Sequence, residues 1–168
     1  MTDSSPLASL KILDFSTLIP GPFASLLLAD LGADVVRVEA PNRPDMVRLT
    51  APFDGDQSAW HSLLNRSKRS VALDLKHPEA VAIVKQLVQQ YDIVLEQFRP
   101  GVMDRLGVGY AALRAVNPRV IYCAITAYGQ TGPYRDRAAH DINLMALSGV
   151  MAHTGRAEDG PLPLGLQV

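Results

Sequence analysis

Residues 10–39 read LKILDFSTLIPGPFASLLLADLGADVVRVE, and the punctuation of this stretch decides the fold class. Leu10 to Phe15 is a short apolar run of strand length, closed by Asp14 and Ser16. Pro20-Gly21-Pro22 makes a tight turn, after which Phe23 to Leu31 is apolar and ends at Gly32. Proline near the start and glycine past the end are the expected limits of a helix. Asp34 to Glu39 is a second strand, stopped by Pro41. Strand, helix and strand within about thirty residues is the size of one βαβ unit, which implies a parallel sheet.

Downstream the alternation continues. Asn42 to Leu64, with Pro44, Pro52 and Gly55, reads as a long irregular loop with some helix. Ser70 to Leu75 is a strand, and Pro78 opens a helix to Tyr91 with Val81, Val84, Leu87 and Val88 at helical spacing. Asp92 to Gln97 is the next buried strand. Phe98-Arg99-Pro100-Gly101 turns into a short helix ending at Gly107, Tyr110 to Val116 forms another, and Arg119 to Thr126 is the last clear strand. The expected fold is α/β, a Rossmann-like open parallel sheet. Ligands of such sheets collect at the carboxyl ends of the strands. The segments leaving those ends are Ser16–Pro22, Glu39–Arg43, Gln97–Gly101 and Ala127–Asn143.

Composition narrows the class. The 168 residues are 48% hydrophobic and 20% charged, with net charge −1, so no global charge recruits nucleic acid or an anionic membrane. No apolar run is long enough to span a bilayer. The first residues, Met1 to Pro6, lack the basic and apolar regions of a signal peptide. The single cysteine, Cys123, sits in an apolar run and reads as a buried thiol; a cytoplasmic location is expected. The first-loop sequence, Ser16 to Pro22, has one glycine and no Gly-x-Gly-x-x-Gly fingerprint, which disfavours a nicotinamide cofactor, and no P-loop is present. His61, His77, His140 and His153 are scattered without metal-ligand spacing, so no metal site is expected.

Two features remain. Arg66, Lys68, Arg69, Lys76, Arg99 and Arg105 gather near the expected binding edge, and read either as a solvated face or as clamps for a phosphorylated ligand. Ala138-Ala139-His140-Asp141-Ile142-Asn143 brings an imidazole, a carboxylate and an amide to a loop–helix junction. Asp141 there is either a helix cap beside a surface histidine, or His140 is a base in an active site.

Taken in order, IPGPFASLLLADLGADVVRVEAP, NRSKRSVALDLK, FRPGVMDRLG, NPRVIYCAITAYGQTGP and AHDINLMALSG resemble the family III CoA-transferases over essentially the whole chain. That family includes formyl-CoA transferase, carnitine CoA-transferase and α-methylacyl-CoA racemase. The resemblance implies an acyl-CoA thioester substrate, no cofactor beyond the coenzyme A of that substrate, and an interlocked homodimer without nucleic-acid or membrane partners. It implies CoA contacts at Leu73, Asp74, Leu75 and Lys76, at Gln97, Phe98 and Arg99, at Arg105, and at Ala139 and Asp141 beside His140. The arginine usual after the second strand is Ala40 here, which leaves its phosphate contact to a neighbour such as Arg37 or Arg43. The catalytic glutamine of formyl-CoA transferase aligns with Ile19, which argues against that transferase.

His140-Asp141-Ile142-Asn143 is similar to the racemase segment whose histidine accepts a proton. A thioester acidifies its α-carbon, and an imidazole, with an ordinary pKa of about 6.5, suits its deprotonation. The resemblance therefore leans towards 2-methylacyl-CoA racemisation, with CoA transfer between carboxylic acids through an aspartyl intermediate as the alternative. The aspartate that both chemistries need follows a stretch matching Pro163 to Val168, and is expected just beyond Val168. Residues 1–168 then form the N-terminal portion of a CoA-binding large domain, without the small domain or the C-terminal return. On this reading the chain alone is an incomplete enzyme, or a non-catalytic CoA-binding fragment.

Overall fold

The computed structural model of the protein describes residues 5–165. Two compact units make up the chain, Met1–Ile125 and Thr126–Val168.

The first unit is built on five parallel strands: β1 (Lys11–Asp14), β2 (Asp34–Glu39), β5 (Arg69–Ala72), β6 (Ile93–Glu96) and β7 (Ile121–Ala124). Their spatial order is β5-β2-β1-β6-β7. In order of appearance within the sheet this is 3-2-1-4-5, the Rossmann-like order expected from the alternation. The first two strands register Ile12 against Val35, and Ile12 also faces Ile93 of β6. Strand order reverses at β1, so the gap between the exits of β1 and β6 is the switch point where such sheets bind ligands.

Helices cover both faces. On one, Leu13, Val36 and Val94 pack with Val84 and Val88 of α3 (Pro78–Val88), Met103 of α4 (Val102–Arg105) and Leu113 of α5 (Tyr110–Val116). On the other, Ile12, Val35 and Leu95 meet Ala29 of α1 (Pro20–Asp30). Neighbouring residues on one strand therefore enter opposite cores, as a strand buried on both sides requires. The α3 helix stops at Val88, short of the Tyr91 expected from periodicity, because Asn117 Nδ2 donates to the Val88 carbonyl at 2.8 Å and to that of Tyr91 at 3.1 Å. Carbonyls orphaned at a helix end are satisfied there by a side chain from a distant loop.

The stretch from Asn42 to Leu64 is more ordered than its sequence suggests. A 3₁₀ turn (Met46–Leu49) precedes a small hairpin of β3 (Phe53–Asp54) and β4 (Gln57–Ser58), then α2 (Ala59–Asn65). The hairpin pairs Phe53 with Ser58 around Gly55, whose φ is +58°. The Asp54-Gly55 dipeptide carried that turn signal. Cys123 also departs from expectation. It is exposed rather than buried, because Ile121 and Cys123 lie on one side of the edge strand β7 and that side is open among the described residues. Among the described residues no helix is long and apolar enough to cross a membrane.

In the second unit α6 (Asp141–Leu147) leads to a 3₁₀ turn (Val150–His153). Ahead of it the loop is organised by aromatic contacts. Tyr128 meets Tyr134 edge to face at 5.6 Å, and the Arg137 guanidinium lies 4.4 Å from the Tyr134 ring centre. The ending Leu166-Gln167-Val168, within the stretch matched to the approach of the family aspartate, lies outside the described residues.

Candidate functional site

At the carboxyl rim of the sheet, the loop between β1 and α1 is held from three directions. Asp14, fully buried, ends β1 and accepts from the Ser16 N–H at 2.8 Å and from the hydroxyls of Ser16 and Ser25. Leu18 has φ of +60°, a left-handed conformation that a branched side chain disfavours. Its N–H donates to the Asp45 carboxylate at 3.1 Å, which keeps that conformation in place. Gln97, the first residue after β6, reaches across the switch point. Its Oε1 accepts from the Gly21 N–H at 3.0 Å, and its Nε2 donates to the Thr17 carbonyl. A Cβ on Gly21 would collide with the Ser16 side chain and come within 2.8 Å of Gln97 Oε1, so the close approach of these loops requires glycine.

Beneath the loop lie two buried charge clusters. Arg37, in the middle of β2, is 1% exposed and pairs with Glu39 at 2.9 Å and with Asp45. Its NH1 is 3.2 Å from His61 Nε2, and its buried Nε has no hydrogen-bond partner among the described residues. Arg48 pairs with the same Glu39 at 2.8 Å. Burial, together with Arg48 and Arg37 nearby, pulls the His61 imidazole below its ordinary value. The second cluster joins Asp14 to Lys68 Nζ at 3.7 Å, both side chains almost wholly buried. Glu96, which ends β6, is also buried, and burial raises its carboxyl; it accepts from the Phe98 N–H at 2.7 Å.

Several residues expected to touch CoA stand on this rim. Leu73, Asp74, Leu75 and Lys76 follow β5, while Gln97, Phe98 and Arg99 follow β6, about 14 Å away at three strand spacings. Leu73, Leu75 and Phe98 pack on the same core, which fixes both segments. Asp74 Oδ1 accepts from the Lys76 N–H at 3.0 Å, shaping the turn after Leu73. Arg105 closes α4 and is exposed. Much of the amide capacity of Gln97 is used between the two loops, leaving it one N–H and one acceptor lone pair.

The basic group splits in two. Arg66 pairs with Asp30 at 2.5 Å, Lys68 with Asp14, and Arg69 with Asp34 at 2.7 Å. Their charges are answered inside the unit, so of the two readings of the basic group the phosphate clamp has less support at these three positions. Lys76, Arg99 and Arg105 are exposed and have no carboxylate partner among the described residues. Arg37 is corrected: buried and doubly paired, it cannot replace the arginine missing at Ala40, whereas Arg43 is exposed.

In the second unit His140 itself occupies the cap position of α6, with φ −119° and ψ 169°; Asp141 is the first helical residue and not the cap. The His140 N–H donates to Asn143 Oδ1 at 2.9 Å, and the Asn143 N–H returns to the His140 carbonyl at 2.9 Å. The backbone of His140 is thereby fixed while the residue stays exposed, and Ala139 beside it is half-buried. Asn143 was in the motif, and its separation of three from His140 is the spacing of a capping box. Among the described residues no three His, Cys, Asp or Glu side chains converge as a metal site would require.

Comparison with known proteins decides the ancestry. Residues 7–168 match the sequence pattern described as CoA-transferase family III. The chain belongs to that family. It is 39% identical to a succinate–glutarate CoA-transferase of Agrobacterium fabrum, over 97% of this chain and 42% of that protein. It is 41% identical to the human α-methylacyl-CoA racemase, over 95% of this chain and 38% of that protein. The crystal structure of a CAIB/BAIF family protein from Brucella suis superposes with a TM-score of 0.91 at 37% identity, over 97% of this chain and 44% of that one. This family III chain thus spans about two-fifths of the length of the relatives it matches.

Proposed function

We propose that the protein is an enzyme acting on acyl-CoA thioesters, with the CoA moiety held on the rim between the exits of β5 and β6. The observation that carries this reading is the trio Lys76, Arg99 and Arg105, exposed cations at the binding edge of a family III chain that have no carboxylate partner among the described residues. Two guanidinium forks and an ammonium suit the phosphates of CoA, while Leu73, Leu75 and Phe98 supply packed walls. No cofactor beyond that CoA is needed, and a cytoplasmic setting is part of the proposal. Arg99→Ala and Arg105→Ala should each weaken binding of free CoA about tenfold and flatten its salt dependence, read by calorimetry at two ionic strengths. Arg66→Ala, whose guanidinium pairs with Asp30, should leave the affinity unchanged. Equal losses in all three variants would defeat the assignment.

For the chemistry, we favour α-proton exchange on a 2-methylacyl-CoA, with His140 as base. Its backbone is held by Asn143 and the residue stands exposed at the start of α6, where an imidazole can be approached from solvent. CoA transfer between carboxylic acids is the second reading, and the transferase names among relatives of similar identity support it. Either chemistry needs a carboxylate that we place beyond Val168, residues 1–168 being the N-terminal portion of the large domain.

A homodimer belongs to the same proposal. Phe23, Leu27 and Leu31, four residues apart, each stay about half exposed along the outside of α1, an apolar stripe suited to burial against another surface. The native protein should show a subunit mass above the 18.2 kDa of this chain, and light scattering should give twice the subunit mass. A subunit of 18.2 kDa would remove the missing carboxylate from the proposal, and a monomer would remove the dimer.

A further inference from the structure

Lys68 directly precedes the edge strand β5, yet its side chain is only 1% exposed. With β2 lying between, its ammonium reaches the start of α1 and the end of β1. Nζ donates to the Pro22 carbonyl at 2.7 Å and to Asn65 Oδ1 at 3.3 Å, and lies 3.7 Å from Asp14. Its three donors thus face three acceptors from three elements. Pro22 is in the first turn of α1, immediately after Gly21, which Gln97 ties to the exit of β6. Asp14 in turn holds the Ser16 N–H, where the same loop begins. One buried cation therefore fixes both ends of the loop at the switch point.

We propose that Lys68 is a positioning residue of the acyl-CoA site: through Pro22 and Asp14 it holds the loop between β1 and α1 in the shape that receives the ligand. The proposal rests on the acyl-CoA reading above, and it assigns Lys68 no contact with substrate. Burial pushes the Lys68 ammonium down to about 8, with Arg37 on β2 adding to the drop and Asp14 on β1 opposing it. The α1 and α2 groups facing it are the Pro22 carbonyl and the Asn65 amide, while the Ser25 hydroxyl of α1 donates to the Asp14 carboxylate that Lys68 faces. The charged tether is present below pH 8 and is lost as pH rises through that value. Stability moves the other way. The unfolded chain holds this proton up to its ordinary value near 10.4, so neutralising Lys68 between about pH 8 and 10 does not itself destabilise the fold. A loss of ligand affinity in that window without a matching loss of thermal stability separates positioning from bulk structure.

The test measures the dissociation constant of free CoA from pH 7 to 9.5 by calorimetry on the intact protein, with the melting temperature at each pH. In the wild type, affinity should fall about tenfold as pH passes 8. Lys68→Arg stays charged throughout and should show no such step. Lys68→Met should be about tenfold weaker at pH 7 and flat with pH. Because Lys68→Met leaves Asp14 buried without a counter-charge, the double variant Asp14→Asn/Lys68→Met serves if the single one does not fold, with the same expected loss. Unchanged affinity in these variants, or a pH step that survives in Lys68→Arg, would overturn the proposal alone. Failure of the wild type to bind CoA at pH 7 would overturn the acyl-CoA reading and this inference with it.

Discussion

His140→Ala in the intact protein should abolish uptake of deuterium from D2O at the α-carbon of a 2-methylacyl-CoA, reducing the exchange rate by about 10²- to 10⁴-fold. The imidazole is required because its ring nitrogen can accept the α-proton and return it, which the Asn143 amide cannot do, while Asp141 opens the helix. Binding of CoA should change little, since His140 is assigned to the acyl end rather than to the phosphates. A second variant distinguishes geometry from chemistry. Asn143→Ala removes the acceptor of the His140 N–H, so it should loosen the junction and slow exchange by a smaller factor, about tenfold. Unchanged label uptake in His140→Ala would end the racemase reading. If the same variant instead loses transfer of CoA between two carboxylic acids, and an acyl group is trapped on an aspartate of the intact protein, the second reading takes its place.

What was legible in the sequence follows the range of the interactions involved. The βαβ alternation, the span of β2 and that of α5 came from local periodicity and from proline and glycine stops, and they stand as read. The rim segment after β6 came from the strand pattern and the one after β5 from the family resemblance, and both leave carboxyl ends of strands in the one parallel sheet. The charge clusters were not legible. Lys68 and Arg69 are neighbours in a basic run, yet one is buried against Asp14 and the other pairs with Asp34 near the surface. Nothing in spacing separates them, because the difference lies in partners that only the folded sheet brings close. One signal was available. Arg37 interrupts a strand read as lying in a parallel sheet with both faces covered, and a charge in such a strand has to be paired. That rule points inward, to Glu39 and Asp45, and away from a phosphate.

Arg37 also carries the largest expected effect on stability. Its guanidinium is 2% exposed and neutralises Asp45, itself 1% exposed, while sharing Glu39 with Arg48. Arg37→Met removes the cation but not the carboxylates, so Asp45 is left as a buried charge, and the expected cost is about 3–5 kcal/mol. Read in urea, the midpoint should fall steeply with little change in slope. Arg37→Lys should recover only part of this, because one ammonium cannot fork to both carboxylates. The double variant Arg37→Met/Asp45→Leu should regain most of the stability, since a buried pair replaced by apolar groups is close to neutral. It should not regain the ligand site. Without Asp45 the Leu18 N–H loses its acceptor, and nothing holds a leucine at φ +60° in the loop between β1 and α1. The expected signature is a near-normal urea midpoint with CoA binding weakened about tenfold. A drop of less than 1 kcal/mol in Arg37→Met would show the pair to be dispensable to the fold. Normal CoA affinity in the folded double variant would mean that the conformation of Leu18 does not matter to the site, and that the buried network serves stability alone.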